Sequence, residues 1–169
     1  MIVVWLWLSR FFKLDRFQYR KLTEGEIALC RRVYADQINY AKVKVMNHPY
    51  VPWQSKHVFM APEGCIHTGH THYCSDFSRQ SLGYQAVFIH EMAHIYQHQQ
   101  HINVLWRGAL LQIAYFLSFK RYNPYAYQFK TGKPFFSYNI EQQGDIAKDI
   151  FLGKIPNIIL PPDITSSPQ

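Results

Sequence analysis

No apolar run in this sequence reaches the roughly twenty residues a helix needs to cross a bilayer. The two nearest are Ile2 to Leu8, which is too short, and Val104 to Phe119, which carries Arg107 and reads as a core helix. A membrane-spanning protein is therefore not expected. The opening stretch also lacks the basic start and the small-residue cleavage site of a secretory signal, so synthesis in the cytoplasm is expected. Acidic residues are scarce, eleven against eighteen Lys and Arg, which leaves a formal charge of +7. Much of the excess sits near the start, where Arg10, Lys13, Arg16, Arg20 and Lys21 face only Asp15. No zinc-finger or homeodomain signature accompanies that charge, which argues against a nucleic-acid partner. Its ordinary role is a solvated face; its functional one is contact with a membrane surface or an acidic partner. Cysteine is limited to Cys30, Cys65 and Cys74, and no internal repeat is visible.

What is present is material for a core. Hydrophobic residues make up 48% of the 169 and aromatics 17%, enough for one folded domain rather than two. Thr23 and Glu26 have capping-box spacing, and Ile27, Cys30, Val33, Tyr34 and Ile38 recur at helical intervals, predicting a helix over about 24–38. The alternation in 41–46 predicts a strand, 57–62 a second, and 65–74 a third that hairpins with the second across Pro62-Glu63-Gly64. Helices are expected over about 82–101, 104–120 and 139–152. The fold class is α+β, with a basic and apolar N-terminal segment over 1–21, a domain over 22–155 and a proline-rich extended tail over 156–169.

His90-Glu91-Met92-Ala93-His94 has the form HExxH. Four residues turn a helix by about 400°, so both imidazoles leave one face about 6 Å apart along the axis and can share a cation. Glu91 lies about 100° around from His90, outside the ligand set but near enough to act as general base toward an activated water. The bland alternative is a helix with two surface histidines. An apolar helix makes that alternative costly, because unpaired histidines and a carboxylate would be buried.

A hydrolytic zinc site generally takes three protein ligands and keeps the fourth position for water. The metzincin pattern requires glycine at position 97 and histidine at position 100, where this chain has Gln97 and Gln100. His101 is nearly in phase with His90 but about 16 Å further along the helix. His98 lacks an adjacent glutamate and reads as a surface group or a support to a ligand. Glu141 is the better third ligand. It shares a helical face with Asp145, so one carboxylate can bind metal while the other accepts the free N–H of a ligand histidine. The alternative is that both are solvated; Asp149 is a weaker substitute.

An HExxH helix followed by a helix bearing E-x-x-x-D resembles the gluzincin branch of zinc peptidases. The resemblance implies Zn2+ held by His90, His94 and Glu141, with Asp145 orienting a histidine, in a zincin-like fold whose small sheet packs on the HExxH helix. LTEGEIAL at 22–29, FIHEMAHIYQHQ at 88–99 and KPFFSYNIEQQGDI at 133–146 resemble small bacterial proteins labelled Rhs- or Vgr-related and associated with type VI secretion. This implies a peptidase or amidase acting on protein or cell-wall peptide, exported by a type VI system, with a secretion-apparatus or immunity partner. Such enzymes need an oxyanion donor; Tyr138, one turn before Glu141, is a candidate, and Tyr125 and Tyr127 are comparable. The competing function is a non-catalytic zincin-fold scaffold docking on secretion machinery or membrane.

The ten residues from Cys65 to Cys74 also contain His67, His70 and His72. Three readings stay open: a strand lining the cleft, a Cys65–Cys74 disulfide, and a second metal site. Cys30 is expected to be an ordinary buried apolar residue.

Overall fold

The computed structural model describes residues 17–56 and 58–161. The opening apolar run and most of the proline-rich tail lie outside the described residues, so the readings placed on them are not addressed by the fold. Among the described residues, three strands and four α-helices follow in chain order: β1 (Tyr19–Lys21), α1 (Glu24–Tyr34), β2 (Lys44–Met46), β3 (Cys65–His67), α2 (Leu82–Gln99), α3 (Val104–Leu117) and α4 (Ile140–Phe151). The architecture is α+β. Its outer strand β1 lies on the near side of the boundary expected at residue 22.

The sheet runs β1-β2-β3. β1 pairs antiparallel with β2, Arg20 opposite Val45, whereas β2 and β3 are parallel, Val45 opposite Ile66. Val45 and Ile66 are fully buried and fix the register, because a slip of one residue would turn both outward. The hairpin expected between 57–62 and 65–74 shrinks to one antiparallel bridge, in which Met60 and His67 exchange backbone hydrogen bonds of 3.2 and 2.8 Å. Pro62 cannot donate to a ladder, and Gly64 adopts φ +81, so the chain turns before pairing can extend. β2 starts at Lys44 rather than Ala41 because Tyr40–Lys42 wind into a 3-10 turn that buries Tyr40.

α1 stops at Tyr34, four residues earlier than the periodicity suggests. Ala35 takes φ 46 while its N–H still reaches the Arg31 carbonyl, which closes the helix; Ile38 stays in the core from the following loop. α2 is apolar around most of its circumference and runs through the core, packing on α1, β3, α3 and α4. Phe88 stacks on Phe77 with centroids 5.1 Å apart, and the Tyr34 hydroxyl donates to the Ile89 carbonyl at 2.7 Å. Each such side chain contributes about 1.5–3 kcal/mol on burial. These contacts fix the rotation of α2, and with it the direction of its histidines.

The capping box at Thr23 is present, and its glutamate does more than cap. Fully buried Glu26 accepts from the Thr23 and Phe77 backbone N–H groups at 2.9 and 2.8 Å, and from two nitrogens of Arg20 at 2.8 and 2.7 Å. One carboxylate thus joins β1, the start of α1 and the turn leading into α2. Glu26→Ala leaves Arg20 and two amides without their acceptor, and should cost about 3–5 kcal/mol. Urea denaturation of this variant beside Glu26→Gln, which keeps an acceptor but loses the charge, checks that order.

Candidate metal centre

α2 and α4 carry the chemistry, and their capping residues set where α4 begins. Asn139 and Gln142 form a reciprocal capping box, with Asn139 Oδ1 accepting the Gln142 N–H at 2.9 Å and Gln142 Oε1 accepting the Asn139 N–H at 3.1 Å. Their amide groups hold the preceding loop as well. Asn139 Nδ2 donates to the Pro124 carbonyl at 3.0 Å and Gln142 Nε2 to the Ala126 carbonyl at 2.8 Å.

The two helices bring His90, His94 and Glu141 together, with one ligand atom from each lying within 4.8 Å of the others. Glu141 Oε2 is 3.5 Å from His90 Nε2 and 3.7 Å from His94 Nε2. Tetrahedral zinc bonds of about 2.0–2.1 Å place ligand atoms roughly 3.3 Å apart, so the triangle is near the right size. Both other ring nitrogens are occupied. His90 Nδ1 lies 3.3 Å from Asp145 Oδ1, and His94 Nδ1 is 2.9 Å from Gln97 Oε1. Each acceptor favours the tautomer protonated at Nδ1, which leaves an Nε2 lone pair aimed at the cluster.

Gln97 is itself fixed by donation to the Ile140 carbonyl and to Gln143 Oε1, both at 3.0 Å, and Gln143 donates to the Tyr138 carbonyl at 2.7 Å. A fully buried amide chain therefore links the second histidine to the start of α4. Sequence reasoning used Gln97 only to exclude a pattern; its signal was an amide one helical turn beyond His94.

Gly144 was also missed. A Cβ built there would fall 2.5–2.7 Å from three atoms of the His90 ring, so only glycine lets α4 approach this closely. A glycine in mid-helix costs about 1 kcal/mol, and its presence between Glu141 and Asp145 was the available signal.

Electrostatics bind the cluster together. Burial alone would lower the His90 pKa, but the hydrogen bonds its ring donates to Asp145 and Glu141 push it up to about 10. Glu141 shows the reverse balance: burial opposes its charge, yet contact with His90 and His94 holds it well below the usual carboxylate range. Glu91 is buried, its Oε2 has no hydrogen-bond partner among the described residues, and burial raises its pKa against the pull of His94 and His90. An orphaned buried carboxylate beside three convergent ligand atoms fits a metal and a water between them.

The other candidates separate. Tyr138 does not offer a free phenol: its hydroxyl accepts from the Lys130 N–H at 3.2 Å and donates to the Gln128 carbonyl at 3.4 Å. Tyr127 is tied to Asp149, which also holds Lys154, and so both leave the candidate set. Tyr125 is half-exposed in the loop before α4, and the charges of the cluster bear on its phenol. Its pKa is pushed up to about 12, first by burial and then by the charges of Glu141, Glu91 and Asp145. His98 is exposed, beside Gly64. Cys65 and Cys74 are separate thiols, and Cys30 is buried as expected. Among the described residues, the loop histidines form no cluster of three ligands; His90, His94 and Glu141 do.

No protein-family model matches the chain. Over 136 residues, 80% of its length, it is 47% identical to the type VI secretion system spike protein VgrG2b of Pseudomonas aeruginosa, of which the match spans 13%. It also superposes on the structure of the effector domain of Pseudomonas aeruginosa VgrG2b with a TM-score of 0.73 and 47% identity, covering 79% of this chain and 74% of that one.

Two substitutions test the geometry without touching a ligand. Gly144→Ala drives a methyl group into the His90 ring and should weaken zinc binding at least about tenfold, as the loss of a ligand's support does. Gln97→Met keeps the volume but removes the acceptor for His94, and should weaken it by about 10–100-fold. Competition with a chromophoric chelator measures both.

Proposed function

Because the chain belongs to the family of the VgrG2b effector domain of type VI secretion, we propose that it is a secretion-delivered zinc hydrolase that cleaves a peptide or amide bond. The observation that carries this reading is the convergence of His90, His94 and Glu141 beside Glu91, one of whose buried carboxylate oxygens has no hydrogen-bond partner among the described residues. A purely structural zinc normally closes its shell with four protein ligands, and three is the number that leaves a position for chemistry. A zincin-like organisation is consistent with the HExxH helix lying between the small sheet and the helix that brings Glu141.

His90, His94 and Glu141 would hold the ion, with Asp145 and Gln97 keeping the two imidazoles in the ligating tautomer. Zinc bound there supplies a Lewis acid that polarises a carbonyl and acidifies water. Glu91 takes the proton from the attacking water and returns it to the leaving amine, a task that suits a carboxylate whose pKa burial has raised. Tyr125 donates its phenolic proton as a hydrogen bond to the developing oxyanion. Its raised pKa keeps it a donor at neutral pH. The substrate class is a protein or cell-wall peptide, and delivery implies contact with the secretion apparatus and an immunity partner in the producing cell.

Metal analysis and hydrolysis assays on the same preparations test this. Wild type should carry one zinc per chain, and His90→Ala and Glu141→Ala should lose it. Glu91→Gln should keep the zinc while hydrolysis of a casein-derived or cell-wall stem peptide falls by about 10²–10⁴-fold. Full zinc in both ligand variants would reject the site. Undiminished hydrolysis by Glu91→Gln would reject the base, and zinc-loaded wild type without activity on either peptide class would favour the scaffold reading.

A further inference from the structure

α3 is apolar in the direction where a helix of a water-facing domain should be polar. Its inner face is narrow: Val104 is buried, and Gly108, Leu111 and Tyr115 are half-buried. The opposite arc, roughly 180° wide at 100° per residue, carries no polar side chain. Trp106, Leu110, Ile113, Phe116 and Leu117 fill it, and Phe119 follows at 89% exposed. An outward face of this size marks a binding surface.

The surrounding charge identifies what covers it. The charged residues of α3 and of the four positions that follow it are all basic, Arg107, Lys120 and Arg121. Arg107 borders the apolar arc, and Lys120 and Arg121 follow its C-terminal end just after Phe119. A second copy packed antiparallel on the same face would set Arg107 of one chain toward Lys120 and Arg121 of the other, with no acidic residue of α3 to offset them. An anionic lipid surface meets both requirements, taking the apolar side chains below its headgroups and the cations among them. The fourteen-residue helix spans about 21 Å, short of the roughly 30 Å hydrocarbon core, so it would lie in the interface.

We infer that the outer face of α3, with its basic border, docks the protein on the surface of an anionic phospholipid bilayer. This stands on different residues from the metal centre and holds or fails independently of it.

Cosedimentation of the full chain with phosphatidylcholine vesicles, with and without phosphatidylglycerol, tests it. Wild type should bind the anionic vesicles at least about tenfold more tightly than the neutral ones, the gain expected from a few interfacial cations. Ile113→Glu with Phe116→Glu should lose at least about tenfold of that binding. Both positions are exposed, so circular dichroism and the urea midpoint should stay at wild-type values. In a chain carrying Trp5→Phe, Trp7→Phe and Trp53→Phe, the fluorescence of Trp106 should be quenched by lipids brominated high on the acyl chain. Unchanged vesicle binding by the double variant, or an unquenched Trp106, would overturn the inference. Equal affinity for neutral and anionic vesicles would overturn the role of the cations. Self-association abolished by the double variant, without vesicle binding, would assign the face to a second copy instead.

Discussion

The close approach of two helices at a residue without a side chain is the constraint on which the centre depends. Gly144 lies against the His90 ring, and any Cβ there would occupy the same space as the imidazole. Because α4 can come this near, Glu141 reaches both Nε2 atoms and Asp145 reaches Nδ1 of the same histidine. Separating the helices by the width of a methyl group would lengthen all three contacts together. The remaining packing serves this approach: α1 and the sheet fix the rotation of α2, and the reciprocal cap at Asn139 fixes the first turn of α4.

Buried charge is stabilised here by mutual placement. Glu91, His90, His94 and Glu141 would each be costly alone in an apolar core, and the shifts imposed on them are the measure of their coupling. Glu26 solves the same problem elsewhere by gathering Arg20 and two backbone amides around one carboxylate. The difference is instructive. Glu26 has its hydrogen bonds satisfied, whereas Glu91 keeps one oxygen without a partner. A satisfied buried carboxylate joins elements; an unsatisfied one at a ligand cluster is available for proton transfer.

What the sequence made legible followed the range of the interaction. His90, Glu91 and His94, and likewise Glu141 and Asp145, share a helix, so spacing alone fixes their relative directions. The Thr23–Glu26 cap is equally local. The parallel pairing of β2 with β3 depends on where the chain returns after Gly64, and alternation in the sequence carries no information about that. Tyr138 and Tyr125 illustrate the limit most clearly. Counting back one turn from Glu141 selects Tyr138, but the chain is already non-helical there, and its hydroxyl bonds to the 128–130 loop. The loop that carries Tyr125 is pinned to the start of α4 by Asn139 and Gln142, a relation across fifteen and sixteen residues with no periodic signature.

α3 connects the two functional surfaces. Its inner side packs on both α2 and α4. A bilayer that holds the outer face of α3 therefore holds the two helices of the centre at a set distance from the lipid. The acidic residues of the centre come from α2 and α4, while the segment between them is wholly basic in its charged residues. That separation lets one small domain present cations to an anionic surface and keep a cluster of carboxylates for a metal. Mixing the two sets along the chain would repel headgroups on one side and draw lysines to the ligands on the other.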